Sequence, residues 1–251
     1  MGEFKGMLSL LKPSFVFLVE TWLSDSTPNS ILGLDNYIIY RKDRKSTGGG
    51  VLAAVSKSII SVEVATPVTL EMLAIDIYTR TTPLFRFLVV YIPHISDRDY
   101  VSYLCLSLNE LTNVTYPFVI VCDLNCPDMN WNKFHSDIAS ATPLTKFLLE
   151  KQPLVQLIDF PTRKLNILDI IITNDQTAFS EIHENDYLGN SDHISIIGKF
   201  LLLQNICNSN NFVKHFKDFN NANYELIAEY LNNNLKNLYL LKNSLQAWSF
   251  F

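Results

Sequence analysis

The sequence predicts an α/β fold built on mixed sheets. Short apolar runs recur through the first two hundred residues, between stretches whose apolar residues follow three-and-four spacing. Two neighbouring runs, 72–79 (MLAIDIYT) and 84–91 (LFRFLVVY), flank the turn-prone segment Arg80 to Pro83, which reads as an antiparallel hairpin. Strands interspersed with a few helices, some joined by hairpins, make a mixed sheet system rather than a purely parallel one.

In chain order, the spacing predicts a helix over 2–12, then a strand at 14–19 (SFVFLV) and another at 50–55 (GVLAAV). The hairpin follows, then a helix over 98–113, a strand at 118–122 (FVIVC) and a helix over 143–151. Strands at 167–173 (ILDIIIT) and 193–199 (HISIIGK) complete the set. Near residue 205 the composition changes: twelve asparagines fall in the 47 residues from Asn205 to Phe251. We therefore expect one domain over 1–204 and an Asn-rich helical connector over 205–251. Ile227, Leu231, Leu235 and Leu238 lie at helical spacing there.

Composition narrows the function classes. The 251 residues are 48% apolar and 18% charged, enough for a full core and against wholesale disorder. The net charge of −5 excludes bulk attraction as a way of holding nucleic acid, so any contact with it must be local. No apolar run reaches the roughly 18 residues of a membrane span, and Met1 to Lys12 lacks the order of a signal peptide. Cys122 and Cys126 are four apart with no second Cys/His pair, weak support for a zinc site; reduced thiols in an intracellular protein, nuclear or cytoplasmic, are the simpler expectation.

Five segments place polar residues at the ends of apolar runs, where open α/β sheets present their sites. They are Glu20-Thr21-Trp22 after SFVFLV, Tyr91-Ile92-Pro93 after LFRFLVV, Asp123-Leu124-Asn125 after FVIVC, Asp169 within ILDII, and Ser191-Asp192-His193 before the last strand. Four carboxylates that converge (Glu20, Asp123, Asp169, Asp192) repel one another unless a cation neutralises them. An oxygen-rich cluster suits Mg²⁺. A histidine beside such a cluster serves as a general base, and Asn and Tyr donors hold phosphate oxygens. Together these roles describe metal-assisted hydrolysis of a phosphoester. Singly, each has a plainer reading: a cap, a turn, a core tyrosine, or a structural hydrogen bond for Asp169. Trp22 and Trp131 read as packing residues.

Taken in order, ETWL at 20–23, YRKDR…GGGV at 40–51, VVYIP at 89–93, CDLN at 122–125, PTRKLNILDIIITN at 161–174 and SDH at 191–193 resemble the endonuclease/exonuclease/phosphatase superfamily. This is the fold of deoxyribonuclease I and the apurinic/apyrimidinic endonucleases. More narrowly, the chain is similar to the endonuclease domain of non-LTR (LINE-type) retrotransposons over roughly residues 7–200. The resemblance implies a four-layered α/β sandwich, two packed mixed sheets flanked by helices. It implies a Mg²⁺-dependent DNA endonuclease, with Mn²⁺ as an alternative ion and a reverse transcriptase domain in full-length relatives. It implies Glu20 and Asp192 at the metal, Tyr91 and Asn125 on the phosphate, and Asp123 orienting water or serving the leaving oxygen. Asp169 then orients His193, which acts as general base or phosphate stabiliser. The cations Arg41, Lys42, Arg44 and Lys45 before Gly48–Gly50, with Arg163 and Lys164, are candidates for DNA contact; the plainer reading of the first group is a solvated hairpin. Two departures stand out. Relatives open with a strand bearing an asparagine, whereas the nineteen residues before Glu20 read as a helix and a strand, so the opening strand is expected to be missing. Cys122 and Leu124 also replace the glycine and phenylalanine usual around the third motif. The competing expectations are a phosphatase acting on inositol phosphates or a sphingomyelinase, and a retroelement remnant that binds nucleic acid weakly without catalysis.

Overall fold

Strand-forming apolar runs assemble into three sheets in a computed structural model that describes residues 2–45, 48–93, 95, 97–151 and 153–201. The elements are α1 (Gly2–Leu11), β1 (Phe15–Val19), β2 (Tyr37–Lys42), β3 (Val51–Ser56), β4 (Ile60–Val64), β5 (Met72–Thr79), β6 (Thr82–Tyr91), α2 (Arg98–Leu111), β7 (Phe118–Asp123), α3 (Thr142–Glu150), β8 (Val155–Gln156), β9 (Asp169–Thr173), β10 (Phe179–Tyr187) and β11 (Ile194–Phe200). The described residues fall in the first of two units, Met1–Asn208. The second, Ser209–Phe251, lies outside them, and with it the expected helix through Ile227 and Leu238.

The large sheet has the order β4-β5-β6-β7-β9-β8. Only β6 and β7 pair in parallel, and α2 supplies the crossover between them. Smaller sheets have the orders β1-β3-β2 and β10-β11. Alternation along each strand separates the layers. On one face, Met72, Ala74, Leu88, Val90, Ile120, Cys122, Ile170 and Ile172 pack with Leu104 and Leu108 of α2 and Leu144 and Phe147 of α3. On the other, Leu73, Ile75, Ile77, Phe85, Phe87 and Val89 meet Val51, Ala53 and Val55 of β3. The opposite face of β3, Leu52 and Ala54, is covered by Phe4 and Leu8 of α1. The layers therefore run α2/α3, large sheet, small sheets, α1: the four-layered mixed sandwich that the sequence predicts.

The small layer is split. Among the described strands β1 pairs only with β3, and β11 only with β10. Phe15 of β1 and Phe200 of β11 nevertheless meet at 5.6 Å between ring centroids, both packed against Phe87. Aromatic packing thus holds the two edges where no ladder joins them.

Some expected boundaries move. The hairpin loop is two residues, Arg80-Thr81, and Pro83 lies within β6. Helix α2 starts at Asp97, whose side chain accepts from the Tyr100 amide at 3.0 Å, and stops at Thr112, whose hydroxyl donates back to the Leu108 carbonyl. Strands β2, β4 and β10 lie outside the runs read as strands in the sequence, and each is half-buried or exposed along its length. Cys105, Cys122 and Cys126 are free, buried thiols. Among the described residues no helix is long and apolar enough to cross a membrane.

Candidate active site

The site forms where the core between the large sheet and the small sheets runs out. Tyr91, Asp123 and Asp169 are neighbours across three adjacent strands: Tyr91 pairs with Asp123 and Asp123 with Asp169. All three continue the alternation that points Val89, Val121 and Ile171 into the inter-sheet core. At the end of that row, polar groups replace apolar ones. The small layer delivers Glu20 from the end of β1 and His193 from the start of β11.

The parts are joined by hydrogen bonds. The Tyr91 hydroxyl donates to Glu20. His193 Nδ1 lies 2.6 Å from Asp169 Oδ2, and because a carboxylate only accepts, Nδ1 carries the proton of that bond. Asn125 donates its backbone amide to Asp123 Oδ1 at 3.0 Å and its side-chain amide to the Ile92 carbonyl at 2.8 Å. Three non-glycine residues here adopt left-handed backbone: Glu20 (φ 49°), Trp22 (φ 54°) and Asn125 (φ 48°). Asn tolerates that region; for Glu and Trp it is a local cost, typical of sites that a surrounding scaffold over-determines.

Electrostatics points to a missing positive charge. Asp123 is buried, and its pKa is pushed up to about 7, first by burial, then by Asp169 and less by Glu20, against the Asn125 amide and His193. His193 is held above its ordinary value by its bond to Asp169, against burial. Ligand atoms of Asp123, Asp169 and His193 all lie within 4.8 Å of one another. A buried carboxylate crowded by acids, in an oxygen-rich set with one imidazole, fits a hard divalent cation.

Two consequences for pH have the same sign. Asp123, with its folded pKa raised from 3.8 to about 7, binds more protons folded than unfolded between those values, so stability falls as pH rises through that window. The contribution of His193 is complete below 6.5 and is lost as pH rises through its raised value. Metal-free protein is therefore expected to melt at progressively lower temperature from about pH 4.5 to about pH 8. Asp123→Asn should flatten that slope. Thermal melts in EDTA check this, and a flat or rising profile for the parent chain contradicts it.

The remaining predicted residues are placed differently. Asp192 pairs with Arg163 (Oδ2 to Nη2 2.6 Å), which holds its carboxyl below the usual range; it stands 3.9 Å from His193 Nε2 and outside the Asp123–Asp169–His193 group. Arg163 is thus engaged with Asp192. Arg41 is paired with Asp43 at 3.1 Å and donates to the Ser24 carbonyl. Arg44 is paired with Glu71. Lys42 reaches Thr66 Oγ1 and the Pro67 carbonyl, while Lys45 is exposed. Trp131 packs against the α2/α3 core as expected. Trp22 corrects its packing reading: it is 69% exposed at the lip of the site, with Nε1 3.4 Å from Glu20 Oε2. Sequence reasoning missed Thr162. Its buried hydroxyl accepts from the Leu168 and Asp169 amides at 3.0 Å, and its carbonyl accepts from the Ile194 amide. It therefore ties the strand of Asp169 to the residue after His193, and a threonine in a turn gives no sign of that.

Residues 85–197, which include Tyr91, Asp123, Asp169 and His193, match a family described as endonuclease-reverse transcriptase. This match and the shared folds that follow support a domain of the endonuclease/exonuclease/phosphatase superfamily close to the non-LTR retrotransposon endonucleases. Its fold is shared with the endonuclease domain of TRAS1, a telomere-specific non-LTR retrotransposon, at TM-score 0.58 and 14% identity over 79% of this chain and 91% of that one. An AP endonuclease from Archaeoglobus fulgidus gives 0.58 and 14% over 78% and 92%. A 3'-5' exonuclease from Neisseria meningitidis gives 0.56 and 14% over the same shares. At such identities the likeness is one of fold. Curated proteins give no match.

Proposed function

We propose that the chain is a divalent-metal-dependent endonuclease that hydrolyses a DNA phosphodiester, of the kind that nicks a target site for a retroelement. The observation that supports it best is the row Tyr91–Asp123–Asp169 on adjacent strands, facing Glu20 and the Asp169-bound His193. Glu20 and Asp123 are the carboxylates that would hold Mg²⁺, or Mn²⁺ in its place; Asp192, committed to Arg163, is an outer acid. The ion would supply charge neutralisation at the scissile phosphate.

The chain's own groups divide the remaining work. Asp123, which a neighbouring cation would keep ionised, orients the attacking water and takes its proton. Asp169 fixes the His193 ring through Nδ1 and favours its charged form, so that the imidazolium donates from Nε2 to a phosphate oxygen as charge builds in the transition state. The Tyr91 hydroxyl and the Asn125 amide provide further donors at the same rim. Water attacks phosphorus as Asp123 takes its proton, the bond to the leaving oxygen breaks, and that oxygen takes a proton from solvent. Lys45 and exposed Trp22 offer a cation and a flat surface to nucleic acid beside the site. We also read residues 1–204 as the nuclease unit and 205–251 as a connector toward a reverse transcriptase, on the strength of the family resemblance.

Supercoiled plasmid and a soluble inositol phosphate, offered side by side with Mg²⁺ and with EDTA, test the reading. Metal-dependent conversion of plasmid to open circles is expected. Release of phosphate from the inositol substrate alone would move the chain to the phosphatases, and no turnover of either would make it a retroelement remnant.

A further inference from the structure

The Glu71 side chain, immediately before β5, reaches the reacting groups only through intermediaries, yet the residue is tied to the site from several sides. Its side chain is only 12% exposed. One carboxylate oxygen accepts from Arg44 Nε at 2.7 Å and from Nη2; the other accepts from the Gly50 amide. Its backbone carbonyl accepts from the Tyr91 amide at 3.0 Å. Its backbone amide donates to the Tyr100 hydroxyl, which in turn donates to the Tyr91 carbonyl at 3.3 Å. Both backbone groups of Tyr91 are thus bracketed by Glu71 and its partner.

The carboxylate extends this hold to Glu20. Arg44, pinned by Glu71, lies with its guanidinium 5.7 Å from the Tyr91 ring centroid. Gly50, pinned by the other oxygen, accepts from the Thr21 amide through its carbonyl, and Gly49 accepts from the Trp22 amide at 2.9 Å. These amides directly follow Glu20 and hold the left-handed turn in which it sits. The glycine run has a matching explanation. A Cβ on Gly49 would lie 2.4 Å from the Arg44 guanidinium and from a Glu71 oxygen, and one on Gly50 would lie 2.7 Å from Thr21 Oγ1. The glycines make room for the ion pair and for the close approach of two loops.

We propose that Glu71 is a positioning residue of the hydrolytic site, holding Tyr91 and the turn that carries Glu20 in register through Arg44 and the Gly49–Gly50 backbone. This rests on the hydrolase reading. Removal of the carboxylate releases Arg44 and the glycine loop together, so the hydroxyl of Tyr91 and the carboxylate of Glu20 lose their fixed separation. Groups that orient ligands from behind typically account for 10- to 100-fold in metal affinity or activity.

The test uses Mn²⁺ binding, read by water-proton relaxation, together with steady-state nicking of a duplex oligonucleotide. Glu71→Ala is expected to weaken Mn²⁺ binding by about tenfold and to lower kcat by a similar factor, with KM for DNA within about twofold. Glu71→Gln, which keeps an acceptor for the Gly50 amide and nearly the same shape, should restore part of both losses and remains folded. Leu144→Ala serves as the control for general loosening, since Leu144 lies in the core on the far face of the large sheet. It should leave Mn²⁺ affinity unchanged. If both Glu71 variants bind Mn²⁺ and turn over like the parent, or if Leu144→Ala shifts the affinity as much, the positioning role is overturned. A parent chain that binds no Mn²⁺ would overturn the hydrolase reading itself, and this inference with it.

Discussion

Replacing His193 by alanine is expected to lower the nicking rate by about 10²- to 10⁴-fold while leaving the fold intact. The ring is half-buried and its environment is already specified: Asp169 accepts a hydrogen bond from Nδ1 at 2.6 Å, and Thr162 holds the backbone on both sides of the pair. Alanine removes the only donor that Asp169 can hold toward the phosphate. The loss should fall on kcat, because a group that meets charge only in the transition state contributes little to substrate binding. Asp169→Asn should lose a comparable factor with the imidazole still present, since a neutral amide no longer stabilises the charged ring that donates from both nitrogens. Nicking rates at saturating DNA check both. Activity of His193→Ala within about threefold of the parent would remove the imidazole from the mechanism.

Asp76→Ala is expected to be the most destabilising single change in the large sheet. Asp76 and Arg86 face each other across β5 and β6, both nearly inaccessible, with Arg86 Nε 2.6 Å from Oδ1 and Nη2 2.7 Å from Oδ2. Tyr116 donates to the same carboxylate at 2.8 Å, and the Leu111 carbonyl at the end of α2 takes a further guanidinium proton. Removing the carboxylate strands a buried cation with only neutral partners, which costs about 3–5 kcal/mol. For a domain of this size that is a fall of roughly 6–20 °C in melting temperature. Urea or thermal unfolding measures it. Replacing both partners by apolar residues, Asp76→Leu with Arg86→Met, should recover much of the loss. A single-variant loss below about 1 kcal/mol would show that the pair is hydrated in solution.

The same residues show what could be read in advance. Tyr91, Asp123 and Asp169 were legible because each interrupts or ends an apolar run, and a polar residue in such a position needs a partner. That they stand side by side follows once β6, β7 and β9 are neighbours. The Asp76–Arg86 pair was not legible. A bulge between Ile77 and Tyr78 shifts the hairpin register by one residue, and without it Asp76 would face Phe85 rather than Arg86. The basic stretch from Arg41 to Lys45 gave a DNA-contact expectation through the family resemblance, whereas charge alone read as a solvated hairpin. The structure spends Arg44 on Glu71, whose position 27 residues further on carries no local signal. Asp192 fared likewise: its partner Arg163 is 29 residues away, and proximity to His193 in sequence suggested a more central place. Trp22 reads as a packing residue in the sequence, yet the left-handed turn at Glu20 carries it outward.

Mn²⁺ titration of the purified parent chain, repeated with Asp123→Asn and in competition with Mg²⁺, bears most directly on whether these scattered acids form one cation centre. Saturable binding that Mg²⁺ displaces, and that the Asp123 substitution weakens by tenfold or more, is the expected result. No saturable binding, or the same affinity in parent and variant, would mean that Asp123 and its neighbours gather at the sheet edge for some purpose other than holding an ion.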